Sequence, residues 1–200
     1  MGKLYSDSDG TKRHIEKILK ISYLDISKIK SKKFKVVIDC VNGAGGVISP
    51  LLLEKLGCEV IEINCEPTGH FAHTPEPLKK NLKQLEDAVK IHNADIGFAN
   101  DPDVDRLAMI SENGEMFGEE YTLVAIADYY MGNQAGPTVS NLSSSRALRS
   151  VTEHAGQSYF ASAVGEVNVV TKMKEVGAVI GGEGNGGIIV PDFHYGRDAL

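Results

Sequence analysis

The residues best suited to chemistry are three aspartates, Asp101, Asp103 and Asp105, which alternate within the segment 100–106 of this 200-residue chain. Carboxylates held this close repel one another, so they stay ionised together only when a cation lies among them or when each is well solvated. Oxygen ligands favour a hard ion such as Mg²⁺ or Ca²⁺ over zinc. This segment, which we call the aspartate loop, therefore predicts a metal site.

Three other interpretations of the aspartate loop stay open at this stage. An EF-hand would place Glu112 at its twelfth position, but it needs glycine where Arg106 stands and helices where apolar runs predict strands. A phosphatase with a nucleophilic aspartate also carries alternating aspartates after a strand, yet it leaves the third aspartate unexplained. An acidic turn that binds no metal is the simplest alternative.

A second polar segment contains five glycines within residues 181–187, and we call it the glycine loop. Its two polar side chains, Glu183 and Asn185, stand on alternate residues. Because glycine has no side chain, the backbone here can approach a ligand closely. A carboxylate and an amide suit a polyhydroxyl ligand such as a sugar. The alternative is a flexible hairpin tip without a ligand.

Two further patterns are weaker. The glycines of residues 43–46 follow a predicted strand and open a predicted helix, as in a dinucleotide-binding turn, but the third glycine of that fingerprint would fall at Ile48. We therefore favour a tight strand-to-helix turn over a nucleotide site. The scattered histidines make zinc binding an unfavoured hypothesis, since no close ligand pair shares one helix face at His70, His73, His92, His154 and His194.

Strands alternate with helices along the chain, which predicts an α/β fold with mainly parallel mixed sheets and helices on both faces. The predicted strands cover residues 34–38, 58–63, 95–99, 107–111, 138–142, 159–163, 178–181 and 187–190. The predicted helices cover residues 11–24, 46–56, 78–92, 119–131, 146–154 and 166–176. The basic run at residues 28–33 is expected to be a solvated lead-in to the first strand.

The order β-α-β-α-β-β occurs twice, which predicts two consecutive α/β units at residues 1–133 and 137–200. The aspartate loop joins the last two strands of the first unit, and the glycine loop joins the last two strands of the second. We expect these equivalent loops to face one cleft. Asp198 is a good helix N-cap at the end of the sequence, so we expect the chain to be the middle of a longer protein.

Composition limits the classes of partner. Hydrophobic residues make up 42% and charged residues 24% of the chain, and the net charge is −6, which argues against nucleic acid as a partner. No apolar run predicts a membrane span or signal peptide, so we expect no membrane partner and a cytoplasmic location. Three cysteines, Cys40, Cys58 and Cys65, are an odd number without a close pair, and we expect them to be reduced.

Four segments occur together and in one order, and they span nearly the whole chain. They are Asp39-Cys40-Val41-Asn42-Gly43-Ala44-Gly45, Pro75-Glu76-Pro77, Asp101-Pro102-Asp103-Val104-Asp105-Arg106 and Gly182-Glu183-Gly184-Asn185-Gly186. Together they resemble the α-D-phosphohexomutase superfamily, enzymes of four domains that interconvert hexose 6-phosphates and hexose 1-phosphates. This chain is similar to the second domain and most of the third.

The resemblance implies roles for individual residues. It implies that Asp101, Asp103 and Asp105 bind the catalytic Mg²⁺ and that Arg106 lies near the transferring phosphoryl group. It implies substrate contacts for the glycine loop and the segment before it, at Glu183, Asn185 and Gly165. Two positions depart from the family pattern: proline replaces the usual glycine at Pro102, and asparagine replaces the usual serine at Asn185. The segments 164–168 and 183–187 look most similar to a phosphoglucosamine-mutase-like branch.

The reaction that the resemblance implies uses a phosphoserine and a hexose 1,6-bisphosphate intermediate, with phosphoglucosamine, phosphomannose or phosphoglucose as the substrate. The family's phosphoserine loop, with its Ser-His-Asn, and its fourth-domain phosphate loop do not occur in this sequence. We therefore expect the missing first and fourth domains to be partners of this chain and the chain alone to be inactive. A non-catalytic sugar-binding or nucleotide-binding α/β module is the alternative.

Overall fold

The computed structural model describes residues 2–3 and 5–200, which form two four-stranded sheets. The first sheet contains β1 (Lys35–Asp39), β2 (Glu59–Ile63), β3 (Ile96–Asn100) and β4 (Leu107–Ser111). The second contains β5 (Thr138–Asn141), β6 (Tyr159–Ser162), β7 (Ile180–Glu183) and β8 (Gly187–Ile189). The helices are α1 (Gly10–Ile18), α2 (Ile26–Lys32), α3 (Gly45–Lys55), α4 (Lys83–His92), α5 (Glu119–Met131), α6 (Ala147–His154) and α7 (Glu166–Val176).

The two sheets have the same topology, which confirms the α/β class and the internal repeat. The strand orders are β2-β1-β3-β4 and β6-β5-β7-β8. In each sheet the first three strands run parallel and the last runs antiparallel to its neighbour. Parallel strands require the helical crossovers seen here, whereas β3–β4 and β7–β8 are joined by short loops. Those two short loops are the aspartate loop and the glycine loop.

Each sheet packs on a helix through apolar side chains that face away from water. On the first sheet, Val37 and Ile110 are fully buried against Leu85 and Val89 of α4. On the second, Val139, Val169, Met173 and Ile189 form a corresponding cluster between the sheet and α7. Burial of one such side chain stabilises the fold by about 1.5–3 kcal/mol. These clusters hold rigid the strand ends from which the two loops emerge.

Helix α5 connects the two sheets and packs mainly with the second. Leu123, Ala127 and Tyr130 belong to one buried cluster with Leu148 and Ile180. The division into units 1–133 and 137–200 stays a prediction. Residue 1 lies outside the described residues. Because of this packing, we propose that a boundary just before α5 describes the units better.

The N-terminal region differs from the sequence prediction. The helix expected at residues 11–24 ends at Ile18, and the basic run expected to be a solvated lead-in contains the short helix α2. Asp25 explains this helix, since its side chain accepts a hydrogen bond at 2.8 Å from the backbone N–H of Lys28 and so caps the first turn. Lysine is also a good helix former.

Two other expectations have definite outcomes. Cys40, Cys58 and Cys65 are all free within the described part of the chain, and Cys40 is buried. The Asp198 side chain makes the contact expected of a helix N-cap, since it accepts a hydrogen bond at 3.0 Å from the backbone N–H of Leu200. Within residues 2–3 and 5–200, none of the helices has both the length and the apolar character needed to span a bilayer.

Candidate active site

The aspartate loop and the glycine loop lie against one another, as the repeat predicts. The backbone N–H of Leu107, at the start of β4, donates a hydrogen bond at 3.1 Å to the carbonyl oxygen of Gly186. A cleft of about 340 Å³ opens beside this contact and is lined by Arg106 from one loop and by Glu183 and Asn185 from the other. Glu76 of the Pro75-Glu76-Pro77 segment also lines it. Residues far apart in sequence thus share one cavity.

The aspartate loop folds around the carboxylate of Asp101, which is only 1% exposed. Its Oδ1 accepts the backbone N–H groups of Asp105 and Arg106, each at 3.0 Å. Its Oδ2 accepts the Nε–H of Arg106 at 2.7 Å. Burial alone would raise the pKa of Asp101, but the hydrogen bonds from Arg106 and Asp105 outweigh burial and lower it. Asp101 is therefore an ionised anchor of the loop.

The pKa of Asp105, in the same loop, is shifted in the opposite direction from that of Asp101. Burial and then the neighbouring Asp101 carboxylate raise the pKa of Asp105 to about 7. Two adjacent carboxylates resist simultaneous ionisation because their negative charges repel. A cation between Asp101 and Asp105 would remove this repulsion and allow both to ionise.

The donor set fits a hard divalent cation. One oxygen from each of Asp101, Asp103 and Asp105 lies within 4.8 Å of the others. Asp103 is exposed and makes no hydrogen bond or ion pair with any described residue, so its carboxylate is free to bind an ion. Oxygen-only ligands on a loop match Mg²⁺ or Ca²⁺. The strands β3 and β4 on either side exclude the EF-hand, which needs helices there.

The glycine loop places a buried carboxylate at the edge of the cleft. Glu183 is 6% exposed, and its Oε1 accepts hydrogen bonds from Asn141 Nδ2 at 2.5 Å and from the Gly165 backbone N–H at 3.3 Å. Asn185 Oδ1 accepts the backbone N–H of Gly187 at 3.1 Å. Gly165 therefore orients Glu183 through its backbone, while Glu183 and Asn185 face the cavity. Contacts of these residues with a sugar stay predictions.

The sequence prediction did not identify Arg197, which lies between the two loops. Its guanidinium forms ion pairs with Asp105 of the aspartate loop and with Glu183 of the glycine loop. A third ion pair joins it to Glu166 at the start of α7, at 3.2 Å. In the sequence, Arg197 precedes the residue interpreted as a helix N-cap, so its contacts with loops more than 10 residues away were not visible.

Two glutamates at the start of α5, Glu119 and Glu120, also line the cleft and were not predicted. Glu120 Oε2 accepts a hydrogen bond at 2.8 Å from the backbone N–H of Ser145. With Glu76 and Glu183, they make the cavity strongly acidic. Such a lining suits a cation and sugar hydroxyls, and it repels a free phosphate dianion.

In the glycine turn at residues 43–46, other parts of the protein fill the space that a side chain would need at Gly43 and Gly46. A Cβ on Gly43 would lie 2.7 Å from the Cα of Pro102, and one on Gly46 would lie 2.0 Å from the carbonyl oxygen of Cys65. The backbone N–H of Ala44 donates to the carbonyl oxygen of Pro102 at 2.9 Å. The turn therefore supports the aspartate loop, which favours the structural interpretation over a nucleotide site.

A second group of possible metal ligands lies outside the cleft. This group consists of His14, His194 and Asp198, and one ligand atom of each lies within 4.8 Å of the others. Their spacing in the sequence does not reveal this proximity. The backbone N–H of Gly196 donates to Nδ1 of His194 at 3.0 Å, so Nδ1 is already engaged as an acceptor. Nε2 faces Asp198 at 3.0 Å. The three side chains are thus bonded to one another, and the group is a hydrogen-bonded cluster rather than a set of ligands open to a metal ion.

Comparison with known protein families matches nearly the whole chain. The family model "Phosphoglucomutase/phosphomannomutase, alpha/beta/alpha domain II" matches residues 12–114, and the corresponding domain III model matches residues 118–200. A phosphoglucomutase/phosphomannomutase of Thermococcus kodakarensis is 40% identical over 177 residues, covering 88% of this chain and 39% of the relative. A Methanopyrus kandleri protein named "Probable phosphoglucosamine mutase" is 33% identical and covers 98% of this chain and 43% of its own length.

A solved structure agrees with these matches. The crystal structure of a phosphoglucomutase/phosphomannomutase family protein from Burkholderia thailandensis superposes with a TM-score of 0.82 at 28% identity, covering 94% of this chain and 40% of that one. The chain thus spans roughly two fifths of the length of the relatives it matches.

Proposed function

Because the chain belongs to the phosphoglucomutase/phosphomannomutase family within the α-D-phosphohexomutase superfamily, we propose that it supplies the metal-binding and sugar-binding surfaces of a hexose phosphate mutase. The observation that carries this proposal is the meeting of the aspartate loop and the glycine loop at one acidic cleft. The proposed reaction interconverts a hexose 6-phosphate and a hexose 1-phosphate. Glucosamine, mannose and glucose phosphates remain the three candidate substrates.

In the proposed mechanism, Asp101, Asp103 and Asp105 would hold Mg²⁺, which supplies Lewis-acid stabilisation of phosphoryl oxygens. Phosphoryl transfer needs positioning and charge neutralisation more than covalent work by the protein. Arg106 is fixed through its Nε by Asp101 at 2.7 Å and lines the cleft, which supports a role for its remaining guanidinium nitrogens as donors to a phosphoryl group. Although burial alone opposes it, the hydrogen bond to Asp101 raises the pKa of Arg106, and the residue stays charged.

The sugar side of the proposed site has different requirements. A mutase that passes through a bisphosphorylated sugar must accept that sugar in two orientations. Glu183 and Asn185 offer a few hydrogen-bonding groups on a loop that is otherwise glycine, which suits hydroxyl recognition in either orientation. The acidic lining of the cleft offers no basic group for a phosphate except Arg106 among the described residues. We therefore propose that the non-transferring phosphate is held by another part of the protein.

Replacement of Asp103 by Asn tests the metal site. We expect the wild-type chain to bind Mg²⁺ and D103N to bind it at least about tenfold more weakly, because a charged ligand oxygen is lost. Asp103 is exposed and unpaired within the described residues, so the melting temperature in chelator should not change. Isothermal titration calorimetry measures the affinity. D103N binding with wild-type affinity would reject the assignment of the aspartate loop to the metal.

We predict that the 200-residue chain alone has no mutase activity, because the proposed phosphoserine and phosphate-binding loops do not occur in its sequence. The measurement is a coupled assay with glucose, mannose and glucosamine 6-phosphates at saturating Mg²⁺. Turnover that D103N abolishes would contradict this prediction. Sugar binding without metal dependence would instead favour the alternative, a non-catalytic sugar-binding module.

A further inference from the structure

Arg197 is the cation at the centre of a charged network beside the cleft, and its contacts reach the aspartate loop, the glycine loop and α7. Its Nη1 donates to Oε2 of Glu183 at 2.8 Å, and its Nη2 pairs with Oδ2 of Asp105. Its Nε lies 3.2 Å from Oε2 of Glu166, whose other oxygen accepts the Arg197 backbone N–H at 3.2 Å. The side chain is only 17% exposed. One guanidinium therefore serves three carboxylates that would otherwise repel one another.

The fold fixes the backbone that carries Arg197. On one side, the Asp198 carboxylate accepts from Nε2 of His14 on α1 at 2.9 Å and from His194 at 3.0 Å. The Asp198 backbone N–H donates to Ile188 in β8 at 3.1 Å. The segment that carries Arg197 is thus fixed by contacts with both α1 and β8.

The same segment also contacts the aspartate loop directly. The backbone N–H of Ala199 donates at 3.1 Å to the carbonyl oxygen of Val104, whose φ of +63° is a strained conformation for a β-branched residue. Gly187 leaves the space for the arginine side chain, since a Cβ there would lie 2.4 Å from Cδ of Arg197. The backbones at Val104 and Gly187 therefore both allow Arg197 to lie close to the aspartate loop.

These contacts give Asp105 two competing partners. Its Oδ2 is taken by Arg197, and its Oδ1 lies 3.6 Å from Nε of Arg106. A carboxylate oxygen paired with a guanidinium is a weaker donor to a metal ion, and a fixed positive charge near the ion also opposes its binding. Coordination through both oxygens of Asp105 therefore requires this ion pair to open.

We propose that Arg197 is an internal cation that competes with the metal ion for Asp105, so that Asp105 exchanges Arg197 for the ion while Arg197 keeps its contacts with Glu183 and Glu166. The inference rests on the proposed metal site. The exchange links the two loops, because an ion on the aspartate loop leaves Arg197 paired only with Glu166 and with Glu183 of the glycine loop. Because such coupling is reciprocal, a ligand that strengthens the Glu183–Arg197 ion pair at the expense of the Asp105–Arg197 pair also strengthens metal binding.

The test is the Mn²⁺ affinity of the chain, measured by electron paramagnetic resonance of the free ion. We expect Arg197→Met to bind Mn²⁺ about tenfold more tightly than the wild type, because a competing unit charge is removed. Arg197→Lys keeps the charge and should increase the affinity less. Arg149→Met is the matched control and should leave the affinity unchanged, since among the described residues Arg149 pairs only with Glu153, at 2.7 Å on the surface of α6.

Two outcomes separate this inference from the proposed function. Unchanged or weaker Mn²⁺ binding by R197M, while D103N weakens binding, overturns the role of Arg197 and leaves the metal site standing. Failure of both the wild type and R197M to bind Mn²⁺ overturns the metal site and the exchange together.

A measurement on the wild-type chain covers the case in which R197M does not fold. Titration of ¹⁵N-arginine-labelled protein with Mg²⁺ should shift the Nε–H resonance of Arg197 in parallel with the backbone amide of Asp103. The Nε–H resonance of Arg149 should not move. An Arg197 resonance that stays constant while the Asp103 amide shifts would overturn the exchange.

Discussion

Replacement of Asp101 by Ala is expected to lower the free energy of unfolding by about 3 kcal/mol, because it removes a buried carboxylate that accepts three hydrogen bonds. The carboxylate is 1% exposed and accepts two backbone N–H groups and the Nε–H of Arg106. Its loss leaves these donors without an acceptor in a place that water does not reach easily. Urea unfolding in the presence of chelator measures the effect without a contribution from bound metal.

Asp103→Ala is the matched control for this prediction, since it removes a carboxylate from the same loop. Asp103 is exposed and forms no polar contact among the described residues, so its replacement should change the unfolding free energy by less than about 0.5 kcal/mol. Equal losses in the two variants would show that Asp101 does not organise the loop. The pair of variants also separates Asp101, which organises the loop in addition to its proposed role as a ligand, from Asp103, whose proposed role is as a ligand alone.

Much of the fold could be predicted because local signals agree with the tertiary structure. The limits of α5 and α7 match the sequence prediction, and glycines mark their ends: Gly118 and Gly165 precede the two helices with positive φ, and Gly177 ends α7 at φ +65°. These backbone conformations favour glycine. The repeat of strand order also predicts that the aspartate and glycine loops occupy equivalent places, since the same topology presents both at strand ends.

The residues that join the loops could not be predicted in the same way. Arg197 contacts Asp105, Glu166 and Glu183, which lie 92, 31 and 14 positions away, and no periodicity relates them. Short-range patterns report which face of an element is buried, whereas an ion pair between loops depends on how two sheets pack. Helix α2 was missed for a different reason: charge density suggested a solvated segment, although the cap at Asp25 favours a helix.

Replacement of Gly186 by Ala is the second prediction with a large effect, and we expect a loss of about 3 kcal/mol in unfolding free energy. Gly186 has φ +89°, and a left-handed conformation costs other residues roughly 1–2 kcal/mol. A Cβ would also lie 2.4 Å from the carbonyl oxygen of Leu107, and overpacking of this kind costs about 1–3 kcal/mol. Urea unfolding of the two proteins at one pH measures the difference.

Gly156→Ala separates the two contributions, because Gly156 has a similar φ of +72° but no atom within 4 Å of its added Cβ. It should lose only the conformational part, about 1 kcal/mol. The excess loss at Gly186 then measures the close contact between the glycine loop and the start of β4, where the Leu107 N–H also bonds to Gly186. Equal losses at the two glycines would mean that the loops can separate at little cost. That result would contradict the rigid contact between the aspartate loop and the glycine loop, on which the proposed function depends.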